Sequence, residues 1–383
     1  MIKGFEYGNR MDGPRLKAAD AGMRYIGNKT RLLGFIEKRL AAREIAGSDL
    51  TAVDPFSGTA SVGQHLKKLG FRVTASDIMA YGYVFARAYV EVEALRPAPG
   101  LADEVLAVEG DASPTPADVV AYLNGLDPVP GFIHRSFAPT GQAGREHGRM
   151  YFTPSNAARI DHIRNRIEEW YRADRIDRDL FHLLVAAVIE GADRVANTTG
   201  VYASFVKTWQ PNARRRFRLE LPAIVPGNGC RAAQADALEV VTDMDPFDLL
   251  YLDPPYNNRQ YPGYYHIPEI LAMGWFDGEP ELRGKTGLVP DREKRSDWSR
   301  AGRCEAAFER LIATAPWRHV VMSYNDEGII PESTIERVLK RYGRRGTYRR
   351  YSRSYKRYRS DSDSEDRKYK GDRVREYLYC VDR

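Results

Sequence analysis

The chain has 383 residues and a formal net charge of +6, since 58 lysines and arginines outnumber 52 aspartates and glutamates. A hydrophobic fraction of 43% excludes a chain that is disordered throughout, and no apolar run reaches the ~18 residues that span a membrane. Three widely separated cysteines argue against a disulfide framework or a metal site, so we expect a cytoplasmic globular protein whose positive excess suits a polyanionic partner.

The first 95 residues predict a short arm followed by an α/β unit. Residues 1–20 are polar and contain glycine, which is typical of a loose N-terminal arm. The sequence then predicts a strand at 51–53, a helix at 60–69 that ends at Gly70, and a second strand at 71–76. Strand, glycine-bearing turn, helix and strand form the unit of a parallel sheet.

Residues 96–224 change character and predict an insertion that is largely helical. Prolines and glycines recur between 96 and 150 with little periodicity, which predicts long loops. Thr153-Pro154 is typical of a helix start, and apolar residues then recur at steps of three and four as far as Trp170. A second apolar helix is predicted near 178–196.

The α/β pattern resumes near residue 225. Phe247–Leu252 predicts a strand that enters the motif Asp253-Pro254-Pro255-Tyr256. Further strands are predicted at His319–Tyr324 and, from its alternation, at Val374–Val381. We therefore expect one α/β domain, formed by residues 21–95 and 225–383, into which the helical segment is inserted.

The turn from Asp54 to Gly63 leaves a strand and opens a helix, a position where backbone amides can approach a polar ligand closely. It lacks the lysine of a triphosphate loop and the glycine spacing of a dinucleotide site. Asp77 ends the second strand, where a carboxylate can accept hydrogen bonds from ribose hydroxyls. An adenosine-like ligand is one interpretation, and a purely structural turn is the other.

The motif Asp253-Pro254-Pro255-Tyr256 places a carboxylate, a stiff proline turn and an aromatic ring at the end of an apolar strand. Prolines donate no N–H, so a carboxylate beside their carbonyls forms an acceptor-only site that suits an amino group. Tyr256 could stack on a planar base. The competing interpretation is a rigid turn with a buried tyrosine.

This motif resembles the catalytic motif of amino-group DNA methyltransferases that use S-adenosylmethionine. Segments Arg24–Leu33, Asp54–Gly63 and Ser76–Ile78 resemble the cofactor motifs of the Dam-like adenine methyltransferases. Gln234–Ala237 resembles the segment that contacts the cofactor adenine, and Val320–Asn325 a later core strand. The motifs follow the family's order over most of residues 21–383, so their combination is far more specific than any one of them.

The resemblance implies a Rossmann-like S-adenosylmethionine-dependent methyltransferase sheet, with target recognition in the 96–224 insertion. It implies transfer of a methyl group to the N6 amino group of an adenine flipped from double-stranded DNA. The implied catalytic residues are Asp253, Pro254, Pro255 and Tyr256. Asp253 and Pro254 would accept the amino N–H groups, and the flipped base would stack on Tyr256. The implied cofactor contacts come from Tyr25, Gly27, Lys29, Asp54, Phe56, Gly58, Asp77 and Asp236.

The stretch Asn257–Tyr261 departs from the best-studied Dam-like enzymes and resembles a subset associated with restriction–modification systems. That subset implies a prokaryotic, phage or mobile-element origin and suggests a cognate restriction endonuclease as a partner, while the target site stays open. Two alternatives remain. A cytosine-N4 methyltransferase usually carries serine in place of Asp253, and a catalytically inactive DNA-binding relative is disfavoured by the intact Asp253, Tyr256 and Asp77.

Much of the positive charge lies in Arg341–Arg359, which holds nine lysines or arginines, five interleaved tyrosines and no acidic residue. Without these nine charges the formal net charge falls from +6 to −3. Cations bind phosphates and aromatic rings stack or pack beneath the backbone, so the segment predicts DNA contacts, although a solvated basic surface is an equal alternative. The predicted DNA-binding residues, here and in a second cluster that closes the insertion, are Lys207, Arg214, Arg215, Arg349, Arg350 and Arg353.

Overall fold

A computed structural model describes residues 22–45, 47, 49–105, 113–227, 229–258, 260–290, 294, 296–356 and 373–383. The predicted N-terminal arm at 1–20 and the last three residues of the basic run lie outside these ranges. Within them, no helix is long and apolar enough to cross a membrane.

A seven-stranded sheet with the order β3-β2-β1-β4-β5-β7-β6 forms the centre of the molecule. Neighbouring strands from β1 to β5 are parallel, and β7 is antiparallel to both β5 and β6. The α/β, Rossmann-like prediction is thereby confirmed. The strands are β1 (Thr51–Asp54), β2 (Arg72–Asp77), β3 (Arg231–Gln234), β4 (Phe247–Leu252), β5 (Trp317–Asn325), β6 (Arg349–Lys356) and β7 (Arg373–Asp382).

Helices connect and cover these strands. In chain order they are α1 (Leu33–Ala41), α2 (Ser61–Lys68), α3 (Ala80–Ala86), α4 (Ala102–Val105), α5 (Pro116–Gly125), α6 (Phe132–Phe137), α7 (Gln142–His147), α8 (Pro154–Arg172), α9 (Arg178–Val195), α10 (Ala237–Thr242), α11 (Tyr261–Tyr264), α12 (His266–Met273), α13 (Cys304–Thr314) and α14 (Glu332–Tyr342). The helix start predicted at Thr153 is confirmed, because its side chain accepts a hydrogen bond from the backbone N–H of Asn156.

The central strand β4 shows why the sheet is buried on both faces. Leu249 and Tyr251 belong to one hydrophobic cluster, whereas Leu250 and Leu252 belong to the other. Successive side chains of a strand point to opposite faces, so an almost continuous apolar run fills both cores. The strand ends at Leu252, and the polar residue Asp253 follows at its carboxyl end.

For the described residues of 96–150 the expectation of long loops is wrong, since α4 to α7 lie there, whereas residues 106–112 lie outside the described ranges. Pro116 occupies the first turn of α5, whose start is closed by a reciprocal capping box between Thr115 and Asp118. The N-terminus of α6 is capped by a residue that is distant in sequence. The Asp161 carboxylate on α8 accepts hydrogen bonds from three backbone N–H groups there, at 2.7–2.8 Å. A proline in the first turn of a helix, such as Pro116, thus gives the same sequence signal as a proline in a loop.

The insertion and the sheet share one hydrophobic core. Ile163 and Ile167 on α8 and Leu184 on α9 belong to the same buried cluster as Leu249 of β4. Helix α9 packs on α3, which directly follows the second strand. The insertion is thus attached through a continuous apolar interface beside the carboxyl ends of the strands.

Candidate active site

A cleft of about 870 Å³, open solvent at its mouth included, lies where β1, β2 and β4 end. The strand order reverses between β1 and β4, which is where ligands bind in open α/β sheets. All eight predicted cofactor residues line this cleft, together with Asp253, Pro255 and Tyr256. Pro254 is buried and is not among the lining residues.

The turn between β1 and α2 forms one wall of the cleft and is held in a tight backbone conformation. Gly58 has φ +51°, and Ala60 adopts the left-handed region with φ +57°. The backbone N–H of Gly58 donates to Asp77 Oδ2 at 2.9 Å. A Cβ atom at Gly58 would lie 3.0 Å from Tyr25 Cε1, so a larger residue would push this ring.

Two buried carboxyl groups face this wall. Burial raises the pKa of Asp77 to about 6, although two backbone N–H groups at 2.9 Å stabilise its charge. Burial and the nearby charge of Asp253 raise the pKa of Asp54 to about 8. Asp54 Oδ1 and Ser57 Oγ are buried without a hydrogen-bond partner among the described residues. Such orphaned acceptors fit a polar ligand that brings its own N–H and O–H donors.

The N-terminal motif is attached to the segment that follows the proline motif through aromatic contacts. The rings of Tyr25 and Tyr265 stack with centroids 4.7 Å apart, and Tyr261 lies 5.7 Å from Tyr25. The Tyr265 hydroxyl also accepts a hydrogen bond from the backbone N–H of Ile26 at 2.7 Å. These contacts bring Gly27 into the cleft, where a Cβ atom would lie 3.4 Å from the Tyr256 ring.

Asp253 lies in a buried cluster of four polar side chains. Lys29 Nζ is 3.1 Å from Asp253 Oδ1 and 3.1 Å from Glu376 Oε1. The Tyr256 hydroxyl contacts Asp253 Oδ1 and Lys29 Nζ, and it lies 3.1 Å from Glu376 Oε1. The cofactor residue predicted at Lys29 therefore reaches the catalytic motif itself.

The charges in this cluster compensate one another. Burial raises the pKa of Asp253 to about 6, the adjacent Lys29 ammonium opposes that rise, and Glu376 adds to it. Burial alone would lower the pKa of Lys29, yet Asp253 and Glu376 hold it above its ordinary value. At neutral pH the Asp253 carboxyl is therefore ionised and able to accept hydrogen bonds.

A family model for the D12 class N6 adenine-specific DNA methyltransferases matches residues 25–338. The chain belongs to this family. It is 33% identical to the Type II methyltransferase M.NlaIII of Neisseria lactamica, over 94% of this chain and 99% of that protein. It is 31% identical to the Type II methyltransferase M.FokI of Planomicrobium okeanokoites and 30% identical to the modification methylase StsI of Streptococcus sanguinis. It spans 52% of the length of each of these two.

Membership of the D12 class confirms the predicted adenine-N6 methylation of DNA. Relatives that are Type II methyltransferases confirm the resemblance to enzymes of restriction–modification systems. The cytosine-N4 interpretation, which Asp253 already disfavoured, finds no support in the family model.

Tyr256 of this D12 methyltransferase is more enclosed than its predicted stacking role suggests. The residue is 8% exposed, and its ring packs 5.1 Å from that of Tyr324. Lys29 Nζ also lies 4.5 Å from the centroid of the Tyr256 ring. Base stacking on Tyr256 stays a prediction.

Sequence reasoning missed several residues around the cleft. Glu376 is fully buried on β7. The sequence pattern that could have indicated it is a charged residue that alternates along one strand face with the buried residues Leu378 and Cys380. Trp298 packs edge-on against Phe56 at 4.8 Å, although nothing in its surrounding sequence distinguishes it. Gln260, four residues after Tyr256, forms two hydrogen bonds with the backbone of Ser296, at 3.0 and 3.2 Å. These bonds hold the segment that contains Trp298 beside the proline motif.

The predicted DNA-binding residues of the insertion lie on an exposed segment that follows α9. Lys207, Arg214 and Arg215 are exposed and have no ion-pair partner among the described residues. The buried Asn197 shapes the segment, since its side chain bonds Val206 and Gln210 at 2.8 and 3.0 Å. These three cations are therefore available to a polyanion.

The predicted residues on β6 do not share one surface. Arg350 pairs across to Tyr379 and forms an ion pair with Glu332 on α14. In the strand register, Arg349 lies opposite Cys380 and Arg353 lies opposite Glu376. Both are an odd number of residues from Arg350, so they lie on the other face of the sheet. Arg353 is exposed and has no ion-pair partner among the described residues. A single three-arginine contact with DNA is therefore disfavoured by the geometry.

Proposed function

We propose that this methyltransferase moves a methyl group from S-adenosylmethionine to N6 of an adenine that has left a specific site in duplex DNA. The observation that carries the proposal is the meeting of Asp253, the glycine turn and Asp77 in one cleft at the reversal of strand order. Family membership supports the methyl transfer, and the hydrogen-bond acceptors that line the cleft support the proposed binding of the cofactor and the amine.

The residues of the cleft fit S-adenosylmethionine. Asp77 is suited to accept hydrogen bonds from the ribose hydroxyls, because it ends β2 beside the turn. Asp54 and Ser57 offer unpartnered buried oxygens, and Gly58 leaves room for close backbone approach. When bound, this cofactor supplies an electrophilic methyl group on a sulfonium sulfur.

Asp253 acts on the substrate amine. The lone pair of the adenine amino group is delocalised into the ring, so the amine is a poor nucleophile. A carboxylate that accepts one N–H, with the Pro254 carbonyl accepting the other, localises that lone pair and fixes its direction. Orientation of reacting groups supplies up to ~7–11 kcal/mol in well-ordered systems.

Target recognition belongs, in this proposal, to residues 96–224, while residues 21–95 and 225–383 form the catalytic domain. Flipping the base costs a few kcal/mol, which stacking on Tyr256 at about 1–3 kcal/mol partly offsets. Lys207, Arg214 and Arg215 contact the DNA backbone beside the cleft. The Type II names of the relatives support a cognate restriction endonuclease as a partner and a cytoplasmic site of action.

Incubation with methyl-labelled cofactor and sequence-diverse DNA tests the proposal. We expect label in DNA, and nucleoside digestion should place it in N6-methyladenine rather than N4-methylcytosine. A protein that binds the cofactor but labels no DNA would contradict the proposal.

Asp253→Ala should abolish transfer and retain most cofactor affinity, because its role is directed at the amine. Asp248→Ala removes a carboxylate from the opposite end of the same strand and is the matched control. Calorimetric titration with the cofactor measures affinity for both variants. Loss of cofactor binding in Asp253→Ala alone would contradict the assigned role.

A further inference from the structure

Glu376 stands out among the groups near the cleft because it is fully buried and three polar groups meet its Oε1 atom. The residue is 0% exposed on β7. Its Oε1 lies 3.1 Å from Lys29 Nζ, 3.1 Å from the Tyr256 hydroxyl and 2.6 Å from Ser323 Oγ, which donates to it. A buried carboxylate with these partners fixes their orientation strongly, since breaking such a network is costly.

We propose that Glu376 is a positioning residue for methyl transfer, which holds Lys29 and Tyr256 so that one Asp253 oxygen stays free for the substrate amine. The proposal rests on the proposed function of Asp253. Glu376 itself does not touch the substrate, because three protein groups already surround its buried oxygen.

The contacts of Asp253 are the first argument. Lys29 Nζ and the Tyr256 hydroxyl both meet Oδ1. Oδ2 has no hydrogen-bond partner among the described residues, and the Asp253 side chain is 16% exposed, whereas Glu376 is 0% exposed. One oxygen is thus fixed by the protein, and the other remains for a donor that enters the cleft.

Charge balance is the second argument. The Lys29 ammonium is shared between Asp253 and Glu376 at equal distances of 3.1 Å. Without the charge of Glu376, Lys29 would pair with Asp253 alone and draw it into a tighter ion pair, which makes the carboxylate a weaker acceptor. The charged or titratable groups that face Asp253 are Lys29, Asp54, Tyr251, Tyr256, Tyr261, Tyr324 and Glu376.

Glu376→Gln tests the proposal because it keeps the shape and removes the charge. Single-turnover methyl transfer should slow by roughly 100-fold, the order expected when a reacting group is misplaced by about 1 Å. The acid limb of its pH–rate profile should also move to lower pH, because the charge of Glu376, which raises the pKa of Asp253, is removed. Asp248→Asn, which removes a carboxylate from an ion pair with Arg318 at the opposite end of β4, should retain the wild-type rate and profile.

A Glu376→Gln rate within about twofold of wild type, with an unmoved acid limb, would overturn the proposal. If that variant does not fold, Ser323→Ala decides instead, because it removes one of the three contacts that fix Glu376 Oε1 and leaves every charge of the cluster in place. It should slow transfer without moving the limb, and an unchanged rate would overturn the proposal. Wild-type protein that binds DNA and cofactor yet forms no product would refute the proposed function instead.

Discussion

Asp253 is a much stronger hydrogen-bond acceptor for an amine when it is ionised, and its surroundings set the pH at which it ionises. Burial raises its pKa to about 6, against the opposing effect of Lys29. The protonated carboxyl gains a donor and loses acceptor capacity. In its proposed role, Asp253 therefore makes the reaction depend on a group whose pKa lies just below neutral pH.

The single-turnover rate should fall as the pH drops through about 6, because protonated Asp253 no longer holds the amine. Above about pH 7 Asp253 is largely ionised, so its own titration should add little further change to the rate. Rapid-quench measurement with saturating DNA and cofactor gives the profile. A rate that stays level down to pH 5 would show that another group, or none, limits the chemistry.

The positions of the acids at the strand ends could be predicted from sequence, whereas the position of Glu376 could not. Asp54 and Asp77 end predicted strands and Asp253 follows one, so their place at the carboxyl ends of the sheet could be predicted from local pattern and parallel topology. Glu376 meets Lys29 only because β7 pairs with β5 in a particular register. Register between distant strands depends on tertiary packing, which a single sequence does not display.

At the scale of elements, β6 converts a uniform run of arginines into two different surfaces. Arg350 lies with Glu332 and over the Tyr377 ring, so its charge is partly balanced within the protein. Arg353 belongs to the other face and has no ion-pair partner among the described residues. Only the period-two alternation of a strand separates them.

Arg353→Gln should reduce the slope of log affinity for DNA against log salt concentration by about one, as loss of one phosphate contact does. Arg350→Gln is the matched control on the same strand and should leave the slope unchanged. Fluorescence anisotropy with a duplex at several salt concentrations measures both. Equal slopes for wild type and Arg353→Gln would remove this face of β6 from the DNA interface.

Helix starts show the same division between local and distant causes. Thr153 caps α8 within three residues, so its helix could be predicted. The start of α6 is closed by Asp161, about thirty residues further along, and no local signal marks it. The prolines of 96–150 consequently suggested loops where short helices form.

For the whole molecule, the shared core makes the insertion and the sheet one folding unit. Leu184 of α9 is fully buried in the cluster that also contains Leu249 of the central strand. Arg24 adds a polar link, since it donates to the Asp193 carboxylate of α9 at 2.8–3.1 Å from a position beside the cofactor motif. Unfolding of the insertion alone would expose a large apolar face of the sheet.

We therefore expect one cooperative unfolding transition, in which peptides of α9 and β4 lose hydrogen-exchange protection at the same denaturant concentration. Leu184→Ala should lower the free energy of unfolding by about 2–5 kcal/mol and shift both sets of peptides together, because the cavity lies in the common core. Leu95→Ala, at a residue 41% exposed, is the control and should change stability by less than about 0.5 kcal/mol. If α9 instead loses protection well before β4, the insertion is a separate folding unit, and its coupling to the catalytic cleft must come from the Arg24–Asp193 link rather than from the core.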